Sequence, residues 1–146
     1  MEIKRLDSRL SVTAQPELDE LEQLAAQGFR TILSNRPRGE SEDQPDPDTL
    51  EQKAESLGMA WYQLPVKPGE YAQGDIDEFG RILGEAPGQV LGFCRSGKRV
   101  THLWALSQAG HRPVPELIEA AQSAGYDLEP LRERLEQQAS QANSGH

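Results

Sequence analysis

Apolar residues recur along this chain in two rhythms, and the alternation between them predicts its elements. Ile3-Lys4-Arg5-Leu6 and Arg9-Leu10-Ser11-Val12 read as short strands joined through Asp7-Ser8. Leu18, Leu21, Leu24 and Ala25 then fall on one helical stripe. Pro16 suits its first turn, Glu17, Asp19 and Glu20 complement the positive end of the dipole, and Gly28 is a natural stop. Phe29 to Ser34 is a strand. The stretch from Asn35 to Pro47 has no period and carries Pro37, Gly39, Pro45 and Pro47, so it is loop. A second helix, starting at Asp46-Pro47 or Asp48, carries Leu50, Ala54 and Leu57 and stops at Gly58. Met59 to Val66 is a strand with Pro65 near its end, and Lys67 to Tyr71 is loop. Ile76, Phe79, Ile82 and Leu83 lie on one face of a third helix that Pro87-Gly88 breaks. Gln89 to Phe93 is a buried strand. Lys98 to Gln108 is a helix apolar on most sides, as expected for one packed centrally on a sheet. Pro113 and Pro115 open a further helix running to Ser123 or Ala124, and Leu128, Leu131 and Leu135 mark a last one.

Strands alternating with helices predict an α/β fold with a small, mostly parallel sheet, because such crossovers are right-handed and place helices over the sheet. With 146 residues, one domain over residues 1–136 is expected, followed by a polar tail over 137–146 that frays. Loops at the carboxyl ends of the strands then share one mouth. Asn35, Arg36, Arg38 and Glu40 would roof it on one side, and Lys67, Glu70 and Tyr71 on the other.

Charge narrows the partners. Lysine plus arginine number 15 against 24 aspartate plus glutamate, a net charge of -9, so nucleic acid is not expected. A single cysteine leaves no intramolecular disulfide and no thiol metal cluster, and fits a reducing compartment. Met1 to Arg5 opens without the apolar core of a signal peptide, and no run approaches the roughly 20 apolar residues of a membrane span. A cytoplasmic protein with no membrane partner and no cofactor is expected. His102, His111 and His146 share no metal-ligand spacing, so no metal site is expected either. His102, one turn into its helix, reads as a packed histidine. The oligomeric state is left open.

The chemistry concentrates at the cysteine. The strand ends at Cys94, and Arg95-Ser96-Gly97-Lys98-Arg99 lead straight into the apolar helix. A strand, a tight loop and a helix N-terminus make an anion cradle from inward N–H groups and the helix dipole. A cysteine there is expected to stand largely as thiolate, the form that attacks. Arg99 is the candidate clamp, and Arg95, Ser96, Gly97 and Lys98 complete the anion-binding set. Asn35, Arg36 and Arg38 are candidates for the pocket rim.

These residues resemble the family known as the beta-lactamase hydrolase-like protein, phosphatase-like domain (DUF442), also described as sulfurtransferase-like. The resemblance rests on Leu10-Ser11-Val12, Gln27 to Ile32, Asn35-Arg36-Pro37, Leu64-Pro65-Val66, Cys94 to Arg99 and Ala124-Gly125-Tyr126-Asp127. It implies the three-layer fold of the dual-specificity and tyrosine phosphatases. Two chemistries share that design. Cysteine phosphatases carry Cys-x5-Arg, which would put the arginine at position 100, where this chain has Val100. Their usual histidine before the cysteine is Phe93 here. Rhodanese-type sulfurtransferases resemble the loop found here, Cys-x4-Arg. A shorter loop suggests a tighter amide ring, matched to the terminal sulfur of a persulfide. No acid stands out to protonate a leaving oxygen, since Asp43, Asp46, Asp48, Asp75 and Asp77 read as caps or loop residues. The expectation is therefore a sulfurtransferase: Cys94 takes sulfur from a small anionic donor held by Arg99, and passes it from a persulfide to an external thiol acceptor. The alternatives are a cysteine-dependent phosphatase, and a redox-responsive or anion-binding module with little turnover.

Overall fold

The computed structural model describes residues 1–144, with side chains as far as Gln141. β1 (Lys4–Arg5) and β2 (Leu10–Thr13) form an antiparallel hairpin. Asp7 shapes its turn, Oδ1 accepting the N–H groups of Arg9 at 2.8 Å and Leu10 at 2.7 Å. There follow α1 (Glu20–Ala26), β3 (Phe29–Ser34), α2 (Pro47–Ser56), β4 (Ala60–Gln63), α3 (Gln73–Glu85), β5 (Gln89–Phe93), α4 (Lys98–Gln108) and α5 (Val114–Ser123). A 3-10 turn, Glu129–Leu131, leads into α6 (Arg132–Ser144), which runs across residue 136. Of the tail expected over 137–146, Gly145 and His146 lie outside the described residues.

The sheet order is β1-β2-β5-β3-β4, parallel except for β1, so β5 lies between β2 and β3. Period-two alternation along β5 and into the next residue feeds two cores: Val90 and Cys94 join the layer of α3, α4, α5 and α6, while Leu91 and Phe93 join that of α1 and α2. This is the three-layer α/β arrangement expected. Among the described residues, no helix is long and apolar enough to cross a membrane, and no group of three His, Cys, Asp or Glu could hold a metal ion.

α4 is buried on nearly every side, from Arg99 to Leu106. Gly92 lets it lie this close to the sheet, since a Cβ there would stand 2.6 Å from Val100 Cγ1. Each large apolar side chain such as Leu103 or Leu106 that the helix takes out of water contributes roughly 1.5–3 kcal/mol. Trp104, fully buried, donates from Nε1 to Asp7 Oδ2 at 2.8 Å and so ties the helix to the first hairpin.

Among the element boundaries, those of α1 and β4 depart from expectation for reasons the hydrogen bonds show. α1 starts only at Glu20, because Glu17 to Asp19 form a turn closed by the Glu17 N–H on Glu20 Oε1 at 2.7 Å; Leu18 is exposed. β4 stops at Gln63 although Leu64 and Val66 still donate to the carbonyls of Ser34 and Asn35. Pro65 between them has no N–H to continue the ladder.

Candidate active site

β5 delivers Cys94 to the carboxyl end of the sheet, and the chain turns within three residues into α4. Gly97 makes that turn possible: its φ is 93°, a left-handed conformation, and it is the N-cap of the helix. The Gly97 N–H donates to Cys94 Sγ at 3.1 Å, so the thiol is held by the cradle although it is completely buried. Neighbouring elements fix the loop. Gln15 N–H donates to Arg95 O at 3.3 Å, Asn35 N–H to Phe93 O at 2.9 Å, and Thr101 Oγ1 to Gly97 O at 2.9 Å. The Lys98 N–H turns to Ser96 Oγ at 3.4 Å rather than to the sulfur.

One wall beside the thiol is charged. Arg99, from the first turn of α4, donates from Nη1 and Nη2 to the two oxygens of Glu40 at 2.7 and 2.8 Å, and from Nη1 to Val66 O at 3.0 Å. Glu40 also accepts from Arg36 Nε at 3.1 Å. Arg36 in turn reaches Gln15 Oε1 and Ser41 Oγ, each at 3.0 Å. Both arginines are buried. Burial disfavours the Arg99 charge, but Glu40 and the sulfur of Cys94 more than offset it and raise the pKa. The bonds from Arg99, then Arg36, hold the Glu40 carboxyl below its usual range against partial burial.

A second wall is aromatic. Tyr71, in the loop after β4, lies buried with its hydroxyl 3.1 Å from His102 Nδ1; His102 Nε2, also buried, has no partner among the described residues. Burial, then Lys98, pushes the imidazole down to about 4, so it is neutral. Tyr126, after α5, donates to Ser96 O at 2.9 Å. Burial first and then the charge of Cys94 raise the pKa of both phenols. A cavity of about 490 Å³ opens here, lined by Tyr71, Ser96, Lys98, His102, Tyr126 and Leu131 among others.

The structure thus gathers Cys94, Gly97, Arg99 and Arg36 at one place. Asn35 is fully buried beside them, its Nδ2 on Leu64 O at 2.7 Å and its Oδ1 unpartnered among the described residues. Arg95, Ser96 and Lys98 are exposed at the mouth. Arg38 is not brought in; it is exposed and pairs with Asp48 and Asp46 at the start of α2. Asp46 caps that helix, Asp75 closes the first turn of α3, Asp77 accepts from Gln73, and Asp43 accepts from Ser41. Gln15 and the Tyr126 hydroxyl were not foreseen. Gln15 carries no local signal, whereas Tyr126 stands inside the motif Ala124 to Asp127.

A parallel-cored sheet in three layers, ending at a cysteine whose loop caps a helix carrying an arginine, defines the phosphatase-like α/β class. Within it, the chain belongs to the family described as beta-lactamase hydrolase-like protein, phosphatase-like domain, whose model matches residues 2–111. It is 34% identical over 143 residues to the "Beta-lactamase hydrolase-like protein" of Xylella fastidiosa (strain 9a5c), covering 97% of this chain and 33% of that one. The chain therefore spans about a third of the length of the curated relatives it matches. The crystal structure of a candidate phosphatase from Neisseria meningitidis Z2491 matches with a TM-score of 0.86 at 37% identity, over 94% of this chain and 99% of that one. PTPMT1 matches with a TM-score of 0.74 over 99% of this chain and 98% of its own, and at 15% identity it shares the fold.

These matches overturn the sulfurtransferase expectation. The similar solved structures include the 37% identical candidate phosphatase and, at 15–17% identity, phosphatases that share the fold, and the family that matches is phosphatase-like rather than rhodanese-like. The persulfide, the sulfur donor and the thiol acceptor go with it. The physical fault lies in reading chemistry from loop length. The number of residues from Cys94 to Arg99 fixes neither the width of an amide cradle nor the reach of a long guanidinium side chain, which here is set by Glu40 and the Val66 carbonyl.

Proposed function

We propose that this chain is a cysteine-dependent phosphatase that hydrolyses a phosphate monoester in a reducing, cytoplasmic compartment. The carrying observation is the convergence of the Gly97 N–H and the Arg99 charge on Cys94, in a chain belonging to a phosphatase-like family. The Cys94 thiolate attacks phosphorus; the S–P bond forms as the ester P–O bond breaks, and the alcohol leaves as its oxyanion, which takes a proton from water. Water then attacks the thiophosphate, releasing inorganic phosphate and restoring the thiolate. Arg99, oriented by Glu40, and the amide of Gly97 stabilise negative charge on the phosphoryl oxygens. Arg95 and Lys98 at the mouth attract the dianion. The alcohol portion lies in the cavity beside Tyr71 and Tyr126. Each acid considered from the sequence is engaged elsewhere, so the favoured esters are those whose alcohol leaves without strong protonation, aryl phosphates first. Because the sulfur is covered, its surrounding side chains part as substrate binds.

The test is phosphate release from an aryl phosphate by wild type and Cys94→Ser, with mass spectrometry of the quenched wild-type reaction for a phosphorylated cysteine. Release that vanishes in the variant is expected. Release that persists in it, or none in either protein, overturns the reading.

A further inference from the structure

Two hydrogen bonds at the anion loop end on the same peptide group. The Ser96 carbonyl accepts from the Tyr126 hydroxyl at 2.9 Å, and the N–H of that unit, on Gly97, donates to Cys94 Sγ at 3.1 Å. In a planar trans peptide the C=O and N–H point in opposite directions, so anchoring the oxygen on one side aims the hydrogen on the other. A donor on the carbonyl also polarises the unit and strengthens its N–H as a donor. We infer that Tyr126 is a positioning residue for the nucleophile: its hydroxyl holds the Ser96–Gly97 peptide with the N–H turned onto the Cys94 sulfur. The inference rests on the reading of Cys94 as nucleophile.

Independent features agree with it. A Cβ on Gly97 would stand 2.2 Å from the Tyr126 hydroxyl oxygen, so the glycine both takes the left-handed turn and leaves room for the phenol. The phenol is itself anchored. Its backbone N–H donates to Ala121 O at 2.9 Å, and the Lys4 ammonium lies 4.9 Å from its ring centroid. Burial, followed by the charges of Cys94 and Glu2, raises its pKa, so it keeps its proton and remains a donor. Tyr126 also lies beyond the residues 2–111 that the family model matches. The segment after α4 therefore completes the loop that begins at β5.

The groups facing Cys94 are Arg99 from α4 with Glu40 behind it, Tyr71 from the loop after β4, and Tyr126. Lys4 and Glu2 face the phenol from the N-terminal segment. Tyr126→Phe removes one hydroxyl and leaves all the others. The experiment is the pH profile of Cys94 alkylation by iodoacetamide in wild type, Tyr126→Phe and Ile118→Val. The last thins α5 packing without removing a hydrogen bond. Weakening the Gly97 N–H bond to the anionic sulfur is expected to displace the Tyr126→Phe profile to higher pH by about half a unit to one unit. Alkylation well below the midpoint then slows about threefold to tenfold, with no lower plateau. The Gly97 amide proton resonance shifts upfield in the same variant. A profile and an amide resonance that both stay in place overturn the inference, as does an equal displacement in Ile118→Val or a raised plateau with an unmoved midpoint. Aryl phosphate turnover is measured on the same samples. A displaced profile with no hydrolysis by any variant overturns the phosphatase reading and leaves the positioning role of Tyr126 standing.

Discussion

The two walls of the site hold their side chains by opposite means. On one, Arg36, Glu40 and Arg99 form a connected set of charges in which the carboxylate accepts from both guanidiniums. On the other, Tyr71, His102 and Tyr126 carry no net charge. The difference teaches how an acidic protein keeps two arginines buried near a thiol. On the proposed reading, the charge that clamps substrate stays buried because Glu40 neutralises it, and Tyr71, His102 and Tyr126 add hydrogen-bond direction and apolar surface without a second buried ion to desolvate.

If that division holds, removing the clamp's shape has the largest effect. Arg99→Lys keeps the charge and loses the fork, and is expected to lower kcat/KM for an aryl phosphate by about a hundredfold or more. Glu40→Gln follows, with a loss of about tenfold to a hundredfold, because Arg99 then lacks its two-oxygen anchor. That variant carries a pH signature. The Glu40 carboxyl is depressed in the fold, so its stabilisation is complete above the unfolded carboxyl value and is lost as pH falls through the folded one. Urea midpoints of wild type and Glu40→Gln should therefore differ at neutral pH and converge in acid.

The aromatic wall responds in the same direction through a different group. His102 stays neutral down to about 4 in the fold, against the ordinary value of 6.5. The unfolded chain takes up that proton first, so stability drains away as pH falls from 6.5 toward 4. His102→Leu should flatten this part of the urea-midpoint profile, and an unchanged slope would assign the acid sensitivity to other groups. The smallest effect is that of Tyr71→Phe, which removes the partner of His102 Nδ1. It should cost about 0.5–1.5 kcal/mol in urea denaturation.

Much of this was legible in the chain. The apolar run ending at Cys94 and the largely apolar Val100 to Leu106 marked the centre of the sheet and the helix behind it, because period and composition are local properties. Glu40 and Tyr71 were foreseen only as roof residues. Their partners, Arg99 and His102, come from distant segments that the sheet order alone brings together, and no local spacing records such a pairing. Arg38 shows the converse. It follows β3 just as Arg36 does, yet Asp46 and Asp48 at the next helix start draw it outward. The chemistry misread from loop length failed for the same reason, since a guanidinium's place depends on what it is bonded to.

The segment after α4 has a last consequence. Leu117 and Ala121 of α5 are fully buried in the core that α4 shares, and Leu128 and Leu135 join them. Trimming the protein at residue 111, where the family match stops, would strip the far side of α4 bare and leave the Ser96 carbonyl with water in place of a phenol. For anyone excising this domain from a longer gene or grafting it into one, the safe cut lies past α6, even though the recognisable signature has long since ended.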